Sequence, residues 1–249
     1  MATLHLHLPE EREPCGYLSD REATMEYRVM TEVSPGELEW MLVRGWRRFG
    51  HLYFRPACPA CLECVSLRIP VGDFTPSKSQ RRARRRCDHL RVVTRPPIVD
   101  DERLALYHSW HEMREHTRGW RVSRIGVEEY TRTFAEPHPC AKEMDYYDGD
   151  RLIGVGLIDE TPTALSSIYF FYHPDVRDLG LGVASVLFEM EYARERGLSH
   201  LYLGYRVQEC PSTAYKSQFK PHHLLAARPA FHEAPKWGDT TAEQATPKK

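Results

Sequence analysis

Apolar positions along the chain follow two periods, and the switches between them mark the elements. Leu38, Met41 and Leu42 recur at helical spacing behind Ser34, Pro35 and Glu37. That order predicts a helix opened by a capping box, with Pro35 in its first turn and Gly45 placed to end it in the left-handed conformation. His51–Arg55 and Val65–Ile69 alternate with the period of strands. Asp100–Glu115 and Val127–Phe134 read as helical. A meander follows, from Met144–Tyr147 through the Asp148–Gly149–Asp150 turn to Arg151–Asp159 and Leu165–Tyr172. Ala184–Arg196 is a predicted helix, with Val186, Leu187, Met190 and Ala193 as its apolar positions and Gly197 just past its end; His200–Gly204 is a further strand. The order strand, strand, helix, strand implies an α/β fold with a mainly antiparallel sheet. From Glu233 onward the polar tail is expected to be disordered.

A chain of 249 residues can bury one sizeable core, or one core and a small satellite. The expected division is a smaller N-terminal cysteine-containing domain over 1–76, a basic connecting segment over 77–99, a catalytic domain over 100–232 and a tail over 233–249. No apolar run approaches the roughly 18 residues of a membrane-spanning helix. The first residues lack the basic start and apolar stretch of a signal peptide. A cytoplasmic protein with no membrane partner is the expectation. The formal net charge is -1, so any surface for nucleic acid has to be a local patch. One such patch is evident: Lys78–Arg86 reads KSQRRARRR. Helical spacing puts Arg81, Arg82 and Arg85 on roughly one face, with Lys78 a turn earlier, which suits phosphate contacts that position a nucleic acid without reading its sequence. The same run would also serve as a merely solvated face.

Cysteine usage adds a second candidate. In a reducing compartment the 7 cysteines are expected as thiols or metal ligands rather than disulfides. Cys58-x-x-Cys61-x-x-Cys64 and the distant Cys15 could furnish four thiolates for a tetrahedral zinc or an iron–sulfur cluster. That spacing also suits one packed helix face, and metal-free redox sensing is a third reading. Between the last meander strand and the following helix lies Arg177-x-x-Gly180-x-Gly182. Glycines there let backbone N–H groups approach a phosphate at a helix N-terminus. The spacing resembles the phosphate loop of the GCN5-related acetyltransferases, although such a turn can also be a packing feature.

Several stretches, taken in order, resemble the arginyl-tRNA–protein transferases. They are CGYL at Cys15–Leu18, RGWRRFG at Arg44–Gly50, RPACPACLECVSLRI at Arg55–Ile69 and SKSQRRARRR at Ser77–Arg86. They continue with DGDRLIGVGLID at Asp148–Asp159, SSIYFFYHPD at Ser166–Asp175 and LYLGYRVQECPSTAYKSQFKPHHLL at Leu201–Leu225. Leu18 stands where eukaryotic members have a second Cys, and three spread cysteines replace their pair, so the chain resembles the bacterial branch, the aspartate/glutamate leucyltransferases. Ser212-Thr213-Ala214 before Tyr215-Lys216 depart from the Met common in that branch. The resemblance implies an acetyltransferase-like catalytic half. It also implies transfer of leucine, with arginine as the alternative cargo, from aminoacyl-tRNA to the α-amine of proteins beginning with Asp or Glu, in degradation governed by the N-terminal residue. No cofactor is required for that chemistry; a bound zinc or iron–sulfur cluster is what the resemblance adds for the cysteines. A monomer is expected.

The reaction so implied is aminolysis of an ester. An enzyme for it positions two reactants, accepts a proton from the amine and stabilises an oxyanion. Asp159 matches an Asp of the family's pattern and is the catalytic candidate, as a base or as an anchor for the ammonium; its other reading is a strand-end cap before Thr161 and Pro162. For the acceptor's carboxylate the candidates are Arg47, Arg48 and Lys216, with Tyr205 and Tyr215 as hydrogen-bonding walls. Arg47 and Arg48 could instead be helix-end cations, and Lys216 a solvated surface lysine. Lys78, Arg81, Arg82, Arg85, Arg177, Gly180 and Gly182 are the expected tRNA contacts. Cys210 reads as structural. Two other functions fit parts of the pattern: an acetyl-CoA-dependent N-acetyltransferase, and a non-catalytic zinc-dependent RNA-binding module.

Overall fold

Ser34 opens the first helix as its sequence predicts: its hydroxyl accepts from the Glu37 N–H while the Glu37 carboxylate accepts from the Ser34 N–H. The computed structural model describes residues 1–8 and 11–239. Within them β1 (Thr3–Leu8), β2 (Arg12–Pro14), β3 (Glu22–Thr31), helix α1 (Pro35–Leu42), β4 (Arg47–Phe49) and β5 (Leu52–Pro56) build a first, antiparallel sheet. Its order is β1-β3-β5-β4, with β2 also on β3. Leu38, Met41 and Leu42 of α1 close over Met30, Trp46 and Tyr53. Gly45 has the expected positive φ, +84°, three residues past the helix.

The second sheet begins with β6 (Val65–Pro70), followed by α2 (Lys78–Arg86), β7 (Arg91–Arg95), α3 (Asp101–Arg118) and α4 (Val127–Tyr130). It continues through β8 (Ala141–Asp148), β9 (Arg151–Glu160), β10 (Ala164–Tyr172), α5 (Leu181–Glu195) and β11 (His200–Arg206). The last elements are α6 (Pro211–Ala214), β12 (His223–Leu225) and β13 (Trp237–Asp239). Strand order is β13-β12-β6-β11-β10-β9-β8-β7. Every neighbouring pair is antiparallel except β10 and β11, which are parallel and joined by α5. This is the antiparallel-dominated α/β order, meander then helix then strand, that the sequence implies.

The basic segment is itself structured. Ser77 and Gln80 form a second reciprocal capping box at the start of α2. The helix buries Gln80 and Ala83 and lies on α5, where Arg84 sits over the Phe188 ring and pairs with Glu191. Helix α5 is consequently covered nearly all round, from Leu181 to Ala193. No sheet boundary falls at residue 76, because β6 belongs to the second sheet beside β11 and β12. Segment 77–99 supplies α2 and the edge strand β7. Trp237–Asp239 of the expected disordered tail pairs with β12, and its indole donates to the Val43 carbonyl; the tail from 240 lies outside the described residues. Cys58, Cys61 and Cys64 stand in the loop between β5 and β6, so the helical reading of their spacing does not hold.

Candidate active site

The parallel pair β10–β11 holds for only three residues, Ala164, Leu165 and Ser166 against His200, Leu201 and Tyr202. Beyond them β10 stays on β9 and β11 stays on β6, so the two strands part. Buried carbonyls in such a place need donors. Arg47 gives one to the Ser167 carbonyl, and the Lys216 Nζ gives one to the Tyr205 carbonyl at 2.9 Å. Gly204 lets Arg47 lie against β11: its φ is +79°, and a Cβ there would stand 3.3 Å from the Arg47 Nη2. The Tyr205 hydroxyl donates to the Gly45 carbonyl at 2.9 Å, tying the second sheet to the end of the α1 turn.

A cleft of about 590 Å³ opens onto this parting. Lys216, Tyr215, Arg177, Gly180 and Gly182 all line it, so five of the expected site residues share one surface. Burial holds the Lys216 ammonium down, to about 7, and the Arg47 charge adds to the effect. Lys216 is therefore not a solvated surface lysine. Three groups that sequence reading missed complete the wall: Arg114 and Trp110 from α3, one helical turn apart, and Trp120 just past it. The Arg114 guanidinium lies 4.0 Å from the Trp110 ring centroid. Basic and aromatic side chains so interleaved suit a nucleotide chain, which offers phosphates and stackable bases. Their i, i+4 spacing was the available signal. Ser167 also faces the cleft, and its hydroxyl donates to the Glu189 carboxylate of α5 at 3.1 Å.

Helix α2 flanks the mouth. Arg86 donates to the Leu179 carbonyl at 3.0 Å and lies against Gly180, where φ is +71° and a Cβ would come within 2.7 Å of the guanidinium. Gly180 thus serves helix packing as well as bordering the cleft. Lys78, Arg81, Arg82 and Arg85 are exposed, and among the described residues none of them has a carboxylate partner within ion-pair distance.

Arg48 and Asp159 stand elsewhere. Arg48 Nε donates to Asp159 Oδ2 at 2.9 Å, Nη2 donates to Oδ1, and Nη1 donates to the Gly50 carbonyl at 2.9 Å. Both side chains are buried, and neither lines the cleft. This corrects the expectation that Arg48 receives a substrate carboxylate and that Asp159 meets the amine: each is already engaged by the other. The helix-end reading of Arg47 and Arg48 also fails, since both lie in β4.

The cysteines line a second cleft of about 1090 Å³, together with Tyr17 and Cys210. Arg118, Trp120, Pro211 and Ser212 border both clefts, so the two adjoin there. Cys15, Cys58, Cys61 and Cys64 all face it. The Cys58 Sγ is 3.3 Å from the Thr24 nitrogen, and the Cys61 thiol accepts from Arg21 at 3.5 Å. Burial and the neighbouring sulfurs push the Cys64 thiol up to about 12. Among the described residues, no group of three or more His, Cys, Asp or Glu side chains is arranged to hold a metal ion.

Residues 102–226 match the family described as arginine-tRNA-protein transferase, C terminus, and residues 13–82 match the corresponding N-terminal family. An aspartate/glutamate leucyltransferase of Campylobacter jejuni is 35% identical over 214 residues, covering 86% of this chain and 90% of that protein. One from Helicobacter hepaticus is 29% identical over 228 residues, covering 91% and 95%. Among solved structures, L-PGS from Bacillus licheniformis overlaps 71% of this chain and 58% of its own at 12% identity, with a TM-score of 0.45. An overlap that loose says nothing about what this chain binds.

Proposed function

This chain belongs to the arginine-tRNA-protein transferase family, and from that premise we propose that it moves leucine from charged tRNA to the α-amine of proteins that begin with Asp or Glu, in the cytoplasm. The names of its relatives support leucine as cargo and acidic residues as acceptors. One observation carries the reading beyond the names. Two clefts, one beside an arginine helix and one remote from it, adjoin within a few residues of Lys216. Two macromolecular substrates need two such approaches to one point.

The tRNA stem lies along Lys78, Arg81, Arg82 and Arg85. Its aminoacylated end passes Arg177 and the N-terminus of α5 into the smaller cleft, where Arg114 meets phosphate and Trp110 and Trp120 offer ring faces. The acceptor's N-terminus comes through the cysteine-lined cleft, and its carboxylate is received by Lys216. An aminoacyl ester is already activated, so the residues act by holding the amine at the ester carbonyl in a partly dehydrated cleft. Arg47 keeps the lysine where it is, by fixing the parted strands from behind.

Transfer of labelled leucine, and separately arginine, from charged tRNA to a peptide beginning with Asp tests the proposal. Leucine alone should be incorporated. Arginine in preference to leucine would reverse the cargo, and incorporation of neither, with acetyl transfer from acetyl-CoA instead, would replace the reaction.

A further inference from the structure

Glu189 is a carboxylate in the interior of α5, 1% exposed, on a stretch otherwise apolar from Val186 to Met190. Its Oε1 accepts the Ser167 hydroxyl at 3.1 Å, and its Oε2 has no hydrogen-bond partner among the described residues. A buried carboxylate left half-unsatisfied costs stability, so its retention calls for a reason. Ser167 stands on the other side of this contact, in the wall of the cleft, at the first residue beyond the β10–β11 parting. Its carbonyl is bonded to Arg47 and its hydroxyl to Glu189, so Ser167 is the residue through which the cleft wall reaches the buried carboxylate.

Resting on the transferase reading, we propose that Ser167 and Glu189 form a proton relay, with Ser167 as the group that meets the acceptor amine and Glu189 as the buried base behind it. The neutral α-amine attacks the ester carbonyl, and a C–N bond forms. As the resulting N–H acidifies, its proton passes to Ser167 Oγ while the serine's own proton passes to Glu189 Oε1. The C–O bond to the ribose then breaks, and the departing ribose oxygen takes a proton back through Ser167, restoring the carboxylate. The products are an amide and a free hydroxyl, and no further reactant is consumed.

The surroundings suit the task. Burial pushes the Glu189 carboxyl up to about 8, against the pull of the Ser167 hydrogen bond and the Arg47 charge. Arg47 from β4, Tyr146 from β8 and Tyr215 from the turn after α6 are the titratable and charged groups facing it. A base matched to the acceptor's own amine, near pH 8, moves a proton with little loss in either direction.

Single-turnover leucine transfer, at saturating Leu-tRNA and acceptor peptide from pH 6 to 9, tests the relay in Ser167→Ala, Glu189→Gln and the double variant. Each single change should lower the rate about 100-fold or more. The double variant should fall no further than the worse single, because the two act in series. In the acid range, the wild-type rate should gain roughly two decades per pH unit, one for the amine and one for Glu189, and Glu189→Gln should gain only about one. A structural defect would lower the rate without changing that slope. An unchanged slope, rates within about threefold of wild type, or losses that multiply would overturn the relay. Wild-type protein that transfers nothing would overturn the functional reading and the relay with it, and the same assay shows this before any variant is made.

Discussion

Arg48 and Asp159 form a buried, two-point ion pair, with Arg48 Nε 2.9 Å from Asp159 Oδ2 and the second nitrogen on Oδ1. The pair joins β4 of the first sheet to β9 of the second, 111 residues apart in sequence. A two-point pair of this kind is specific in geometry, and removing one partner leaves the other charged and buried. Asp159 is thus a structural bolt between the sheets.

Asp159→Asn should destabilise the protein by about 3–5 kcal/mol, seen as a lowered Tm. The paired change Arg48→Met with Asp159→Leu should recover much of that loss, because the orphaned charge disappears. A normal Tm with transfer abolished would return Asp159 to the chemistry.

The exposed cations of α2 predict a salt signature. Removing one cation that neutralises a phosphate should reduce the slope of log affinity against log salt by about 0.7–0.9. Arg81→Ala, Arg82→Ala and Arg85→Ala should therefore each flatten the salt dependence of tRNA binding and leave the Tm unchanged. Filter binding across salt concentrations measures it; unaltered slopes would detach α2 from the tRNA.

Trp120, at the junction of the two clefts, is 36% exposed and therefore offers part of its ring to a ligand. A base stacked on it would contribute about 1–3 kcal/mol. Trp120→Ala should raise the Kd for tRNA roughly 5- to 100-fold, by the same principle. Binding within a factor of two of wild type would place the base elsewhere.

Glu189 also predicts a pH dependence of stability. Its carboxyl is raised in the fold to about 8, so the protonated form is favoured there. That contribution is fully present below the ordinary Glu range and is lost as pH rises through about 8. Glu189→Gln removes the titration, so the variant's Tm should gain on the wild type between pH 6 and 9. A difference in Tm that stays constant with pH would mean the carboxyl is already ionised in the fold.

Much of the fold was legible in the sequence because local rules and packing agreed. The Ser34–Glu37 box, the meander and α5 carry their period plainly, and the structure moves their ends by only a few residues. Arg47 and Arg48 were not legible as a pair. Next to Gly45 they look like helix-end cations, but they lie in a strand, where neighbours point to opposite faces. Arg48 meets Asp159 from β9, and Arg47 meets Ser167 and Gly204. No local spacing encodes contacts of that separation. Lys216 gained its meaning from the same source: only the parting of β10 and β11 makes a surface-type lysine a half-buried donor to the Tyr205 carbonyl. Glu189 left a trace, a lone carboxylate inside an apolar helical stretch, yet Ser167 as its partner required the fold.

In the proposed transfer an acidic N-terminus is received by Lys216 in the smaller cleft, beside its junction with the larger. The most direct test is kcat/KM for leucine transfer to peptides beginning with Asp, Glu or Ala, in the wild type and in Lys216→Met. The wild type should prefer Asp and Glu over Ala. That preference should be lost in Lys216→Met, with the KM for Leu-tRNA unchanged. A variant that still prefers acidic N-termini as strongly as the wild type would contradict it.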